Sequence, residues 1–193
     1  MTWLDPLDAP AAMPVATGWA PLADTGYEVT VEPLRVGDGY AHLTYREALA
    51  VAALLCAELP TREHVVALHE TGLELSPVIL PTQAMVRAET HAPPGSAEYE
   101  HAAQRLRVAH MSGPEWCAQH DDAVRAQLDR VGWDGARPVA NAGKLWIAGA
   151  APGKGRLMGW WLGGRFIQAG YSDPHNDLHS DYATLTQLVR RLP

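Results

Sequence analysis

The densest run of chemically capable side chains lies at 172–182, where Ser172, Asp173, His175, Asp177, His179, Ser180, Asp181 and Tyr182 fall within eleven residues. Imidazole titrates near neutral pH and is a common general base and metal ligand; a neighbouring carboxylate fixes its tautomer and raises its basicity. Two chemistries fit the spacing. In one, His175, His179 and Asp181 supply three ligands to a divalent metal such as zinc and leave an open position for water. In the other, His175 or His179 is a general base oriented by Asp177 or Asp181, with Lys144 or Gln168 polarising a substrate carbonyl. The same residue types also build turns, with Pro174, Asn176 and Asp177 as turn formers and imidazoles bonded to main-chain carbonyls.

Aromatic residues accompany this segment. Tyr182 is a candidate substrate contact, and Trp160 and Trp161 could line a sugar or peptide groove. In a strand, consecutive positions face opposite ways, so one indole points into the core and the other is available to a ligand. Elsewhere the signals are weaker. Cys117 and His120 share one helical turn with no third orienting residue evident, and His64 and His69 stand five residues apart, which does not put both on one helix face. His101, His110 and His120 follow no common period, and Gly153-Lys154-Gly155 lacks the phosphate-loop pattern.

A loop that follows a strand can present reactive groups while the sheet holds them. Glycine and tryptophan become frequent after Gly132, and the spacing predicts strands over 144–148, 156–162 and 165–169, with Gly163-Gly164 as a hairpin turn; the closing segment 181–189 is compatible with strand or helix, and its alternation favours a strand. Ahead of them, Thr44-Tyr45-Arg46-Glu47 has the capping-box form and leads into a helix over 48–58 that Pro60 ends. Thr61 caps a second helix over 62–71, closed by Gly72 in a left-handed conformation. Further helices are predicted over 97–110 and 114–131. The latter turns Ala118, Val124 and Leu128 inward and Asp121, Asp122 and Arg125 outward. Alternation at 27–32 reads as a strand, residues 1–24 as an irregular arm, and order weakens after Pro77 and Pro81. The expected architecture is one α+β domain over 1–193. Its helical amino-terminal two-thirds pack on a small, mainly antiparallel carboxy-terminal sheet over 140–193, which carries the candidate site.

Composition narrows the function classes. A chain of 193 residues, 47% hydrophobic and 19% charged, can bury a core without disulfides, and Cys56 and Cys117 read as buried reduced thiols. With a net charge of -7 and no basic run longer than Arg190-Arg191, the footprint of a nucleic-acid-binding protein is missing. The first 22 residues hold neither a basic leader nor a long apolar run, so the expectation is a cytoplasmic protein with no membrane partner.

The series Gly143-Lys144-x-Trp146, Gly159-Trp160, Ile167-Gln168 and His175-x-x-x-His179-x-Asp181-Tyr182 is similar to a set of uncharacterised bacterial and phage-encoded proteins, over about residues 140–190, with a weaker echo in Leu59-Pro60-Thr61 and Ile79-Leu80-Pro81. That resemblance implies a shared domain and, through its phage connection, a cell-wall or virion role. Leu59-Pro60-Thr61-Arg62-Glu63 also resembles a short segment of the formylglycine-generating enzymes, without that family's carboxy-terminal cysteine pair. Ser172, His175 and Asp181 resemble part of the zinc D,D-peptidase pattern, but the His-to-Asp spacing is one residue short and no Glu and His pair follows. The expected activity is hydrolysis of an amide or glycosidic bond in cell-wall glycan or peptide. The alternative is a non-catalytic glycan- or protein-binding, virion-associated module.

Overall fold

The computed structural model describes residues 13–162, 165–167, 170 and 175–192. Among these, the helices are α1 (Tyr45–Leu54), α2 (Arg62–Thr71), α3 (Gln83–Glu89), α4 (Ala97–His110) and α5 (Pro114–Val131). They occupy the middle of the chain, with strands on both sides. This overturns the expectation of a helical amino-terminal two-thirds packed on a separate carboxy-terminal sheet. Trp19–Leu22 and Tyr27–Thr30 form an antiparallel pair, and the last strand, Val189–Arg191, adds to the other edge of Tyr27–Thr30. The physical reason is burial: Val29 and Val189 face each other in this register and both lie in the core. The strand at Trp19–Leu22 likewise replaces the end of the expected irregular arm.

The pairing is also less uniformly antiparallel than expected. Lys144–Trp146 pairs in parallel with Thr184–Leu185 and antiparallel with Leu157–Met158, while Leu73–Glu74 pairs in parallel with Val139–Ala140. Parallel partners must be joined by a long crossover, so a local reading of periodicity does not reveal them. The segment 181–189 forms two short strands in place of one, because every residue in it is buried and its Thr/Leu alternation does not mark an inside and an outside face. Gln187 shows how such a segment is satisfied: its side-chain amide donates to Thr30 O at 3.0 Å and Val139 O at 3.1 Å.

Local chemistry accounts for the helices. Thr44 Oγ1 accepts from Glu47 N at 3.2 Å while Glu47 Oε2 accepts from Thr44 N at 2.8 Å, completing the predicted capping box. α1 stops earlier than predicted. Cys56 adopts a left-handed φ of 50°, Ala57 N donates to Ala52 O at 2.9 Å and Cys56 N to Ala53 O at 3.3 Å. This is a Schellman ending without its usual glycine, and it leaves Cys56 exposed instead of buried in a helix. Gly72 closes α2 with a φ of -75°, so it is not left-handed. Glycine is required there because a Cβ would meet Leu68 O at 2.5 Å and Pro138 O at 2.8 Å. α3, which the sequence reading missed, is capped by Thr82 Oγ1 accepting from Met85 N at 3.3 Å. α4 and α5 have their predicted bounds.

Val65 and Leu68 of α2 and Val124 and Leu128 of α5 pack with Leu22, Leu145, Ile147, Leu185 and Val189. A second cluster sets Ala48, Val51 and Ala52 of α1 against Trp146, Leu157 and Leu188. Each buried Val, Ile or Leu side chain contributes about 1.5–3 kcal/mol. These two clusters grip the strand Lys144–Trp146 from both sides and make it a fixed base for the side chains beside it. No helix among the described residues is long and apolar enough to cross a membrane.

Candidate active site

Alternation along Lys144–Trp146 puts Lys144 and Trp146 on one face of the strand and Leu145 on the other. Trp146 is fully buried and its indole N–H donates to Leu43 O at 2.8 Å. The strand Lys154–Gly155 passes over this indole, and only glycine fits at 155, since a Cβ would come 2.7 Å from Trp146 Cζ3. His175 pairs directly with Gly155, which sets its ring edge-on to Trp146, with centroids 6.2 Å apart.

A turn then brings His179 back. Leu178 N donates to Asn176 Oδ1 at 3.0 Å, His179 N donates to Asn176 O at 3.2 Å, and Arg46 holds the Asp177 carboxylate at 2.8 Å. The sequence reading gave Asn176 and Asp177 a turn-forming role, and here they serve both the turn and the site. His175 and His179 stack with centroids 4.3 Å apart and planes 22° from parallel. Burial lowers the His175 pKa first, and His179 and Lys144 lower it further, against the opposing pull of Asp181.

Asp181 lies at the floor. Its side chain is 2% exposed and pairs with the Lys144 ammonium, which is 14% exposed. Oδ1 accepts from Ala183 N at 3.0 Å and Thr184 Oγ1 at 2.7 Å, and Oδ2 stands 3.5 Å from His179 Nε2 without forming a hydrogen bond. Burial alone would raise the carboxyl pKa. The His179, Lys144 and Thr184 interactions outweigh burial and hold it well below the usual carboxylate range. The Nε2 atoms of both histidines are buried with no hydrogen-bond partner among the described residues. Two adjacent imidazoles beside a fixed charge pair have the chemistry to accept and return protons.

The other sequence-predicted residues fall in different places. Gln168 lies outside the described residues, as do Ser172 and the Gly163-Gly164 turn. Trp160 is buried, with the Lys144 ammonium 5.8 Å from its ring centroid. Trp161 faces the other way, and with Val66, His69, Glu70, Glu74 and Phe166 it lines a cavity of about 330 Å³. Tyr182 is buried, and its hydroxyl is engaged by the main chain of Leu80, accepting from N at 2.8 Å and donating to O at 3.2 Å. That geometry makes it a brace for the Leu80 loop and does not present its hydroxyl to a ligand.

A second cluster lies alongside. Asp121 was expected on the outer face of α5 but is buried: Oδ2 accepts from Tyr40 N at 2.8 Å, and Oδ1 lies 3.0 Å from His42 Nε2 and 3.4 Å from His120 Nδ1. His42 comes from the segment between the strand Gly39–Tyr40 and α1. Burial pulls the His42 pKa down, but hydrogen bonding to Asp121 and the Cys117 side chain beside it hold the imidazole up, at about 9. Burial would raise Asp121, yet His120 and His42 keep it at about 2. These are the residues that the isolated Cys117–His120 pair lacked. One signal for them was present, because Trp116, His120, Val124 and Leu128 repeat at the spacing of one buried helix face. Ser180 links the clusters, its hydroxyl donating to His42 O at 2.9 Å, and the His120 ring lies 5.8 Å from that of Tyr182. Among the described residues His42, His120 and Asp121 are also the group whose ligand atoms, all within 4.8 Å of one another, could be spanned by one metal ion.

Fold and site together define a protein of five helices and several small sheets among the described residues, with an imidazole pair set over a buried lysine–aspartate ion pair. Comparison of the chain with protein-family models, with curated proteins and with solved structures finds no match.

Proposed function

We propose that the chain is a hydrolase of amide or glycosidic bonds of the cell-wall type, with His175, His179, Asp181 and Lys144 as its centre. The observation that carries this reading is the stacked His175–His179 pair beside the Lys144–Asp181 pair, with neither Nε2 atom completing a hydrogen bond among the described residues. In amide hydrolysis, one neutral imidazole takes a proton from water as the oxygen attacks the carbonyl carbon. Lys144, which has N–H donors beyond the one used by Asp181, stabilises the oxyanion. Collapse of the tetrahedral intermediate breaks the C–N bond, and an imidazolium returns the proton to the leaving amine. Asp181 anchors the Lys144 ammonium and stands 3.5 Å from His179 Nε2. The version in which His175, His179 and Asp181 hold a divalent ion is the weaker of the two, because the Lys144 ammonium already sits on Asp181 Oδ2.

The test is product release from purified peptidoglycan, followed by chromatography and mass spectrometry. His175→Ala and His179→Ala should each abolish turnover while leaving the circular dichroism spectrum unchanged; turnover retained in either folded variant refutes the reading. A second reading, a non-catalytic glycan- or protein-binding module, is supported by the aromatic cavity of Trp161, Phe166 and His69. It requires saturable binding of cell-wall fragments with no product, unaffected by the histidine substitutions and lost in Trp161→Ala.

A further inference from the structure

His120 is fully buried, between the Asp121 carboxylate and the main-chain carbonyl of Ala142. Nδ1 lies 3.4 Å from Asp121 Oδ1, and the ring also meets the main-chain carbonyl of Ala142, while Nε2 completes no hydrogen bond among the described residues. A neutral imidazole carries one proton and can satisfy only one of two acceptors; the other nitrogen then turns a bare lone pair toward an oxygen. A second proton would satisfy both, at the cost of placing a full charge on a side chain with no contact with water. His42 has a related problem: Nε2 is committed to Asp121, and Nδ1, although the Cys117 side chain lies beside the ring, completes no hydrogen bond among the described residues.

We infer that His42 Nε2, His120 Nδ1 and Asp121 Oδ1 are the ligands of a divalent transition metal, of which zinc is the representative. A cation there takes the place of the protons that separate these nitrogens from the carboxylate. The His120 proton is then left to Nε2, with the Ala142 carbonyl as the main-chain acceptor beside the ring, and an outer-shell acceptor of that kind is usual for metal-bound histidine. Two edges of the ligand triangle have the right length, and all of its ligand atoms lie within 4.8 Å of one another. Ligand atoms about 2.0–2.1 Å from a tetrahedral zinc stand about 3.3 Å from one another, and here Oδ1 is 3.0 Å from one nitrogen and 3.4 Å from the other. Tyr40 N fixes the second carboxylate oxygen at 2.8 Å, and Gly39 lets that strand approach, since a Cβ there would stand 3.0 Å from Asp121 Oδ2. Two imidazoles and one carboxylate select zinc and its neighbours over calcium or magnesium, which take oxygen shells. Three protein ligands leave a fourth position for water.

This site uses none of the residues proposed above as the hydrolytic centre, so the two ideas fail separately. The experiment is zinc titration by isothermal calorimetry of tag-free protein stripped with chelator, with cobalt(II) absorption spectra as a second readout. We compare wild type, His42→Ala, Asp121→Asn and the His175→Ala/His179→Ala double variant, all checked for folding by circular dichroism. Wild type is expected to bind one equivalent. Binding should weaken in His42→Ala and Asp121→Asn by more than about 100-fold, beyond the effect of losing an outer-shell partner, and stay unchanged in the double variant. The cobalt spectrum should show d–d bands without strong thiolate charge transfer. Absence of wild-type binding, binding that survives in folded His42→Ala or Asp121→Asn, loss in the folded double variant, or a thiolate band would overturn the assignment. If both ligand variants fail to fold, the wild-type isotherm and cobalt spectrum decide it.

Discussion

Replacing Lys144 by methionine removes the ammonium from Asp181 while keeping most of the side chain's volume. The carboxylate is 2% exposed, so water cannot take over the lost interaction. Removing one partner of a buried ion pair costs about 3–5 kcal/mol, because the other charge is left uncompensated. Asp181 keeps its bonds from Ala183 N and Thr184 Oγ1, and Lys144 is itself 14% exposed, which sets the expectation at the lower end, about 3 kcal/mol. With a urea dependence of about 2 kcal/mol/M, the unfolding midpoint at pH 7 should fall by about 1.5 M. The pH dependence gives a second check. A carboxyl whose pKa is depressed in the folded state stabilises fully above its unfolded value of about 3.9 and loses that contribution as pH falls through the folded pKa. Without Lys144 the folded pKa of Asp181 rises, so the gap between wild type and variant, complete at pH 7, should narrow as pH drops below about 4. Equilibrium unfolding of wild type, Lys144→Met, Asp181→Asn and the double variant isolates the pair. A cost for Lys144→Met under about 1 kcal/mol, or a coupling energy indistinguishable from zero, would mean that solvent compensates Asp181 and that the site has no fixed charge pair.

Two further substitutions test the supports of the site. Tyr182→Phe leaves the buried Leu80 N–H without its acceptor and should cost about 2 kcal/mol, a melting temperature lower by about 4–8 °C, with KM for any cell-wall substrate unchanged; a KM effect without a stability effect would return Tyr182 to the substrate. Thr44→Ala removes one half of the α1 capping box and should cost about 1 kcal/mol in denaturant unfolding, with Thr44→Ser close to wild type; equal losses in both would show that the hydroxyl is not the stabilising group.

Where a structural decision depended on a few neighbouring residues, the sequence already contained it. Thr44 with Glu47, Thr61 before Arg62 and Pro114 at a first helical position set the starts of α1, α2 and α5 through groups at most three residues apart. The clustering of His175, His179 and Asp181 was equally plain, since a tight turn keeps neighbours in the chain close in space. The stop of α1 at Cys56 was hidden, because a left-handed residue other than glycine leaves no compositional mark. Tertiary structure alone decided the rest. Tyr27–Thr30 gains its partner at Val189–Arg191 from the far end of the chain, and His42 meets Asp121 across 79 positions. Such pairs form because burying apolar faces together outweighs the entropy of closing long loops, and that balance depends on every element at once. Asp121 carries the same lesson: its charge predicts a solvated face, and only the arrival of Tyr40 and His42 beside it and its neighbour His120 makes burial tolerable.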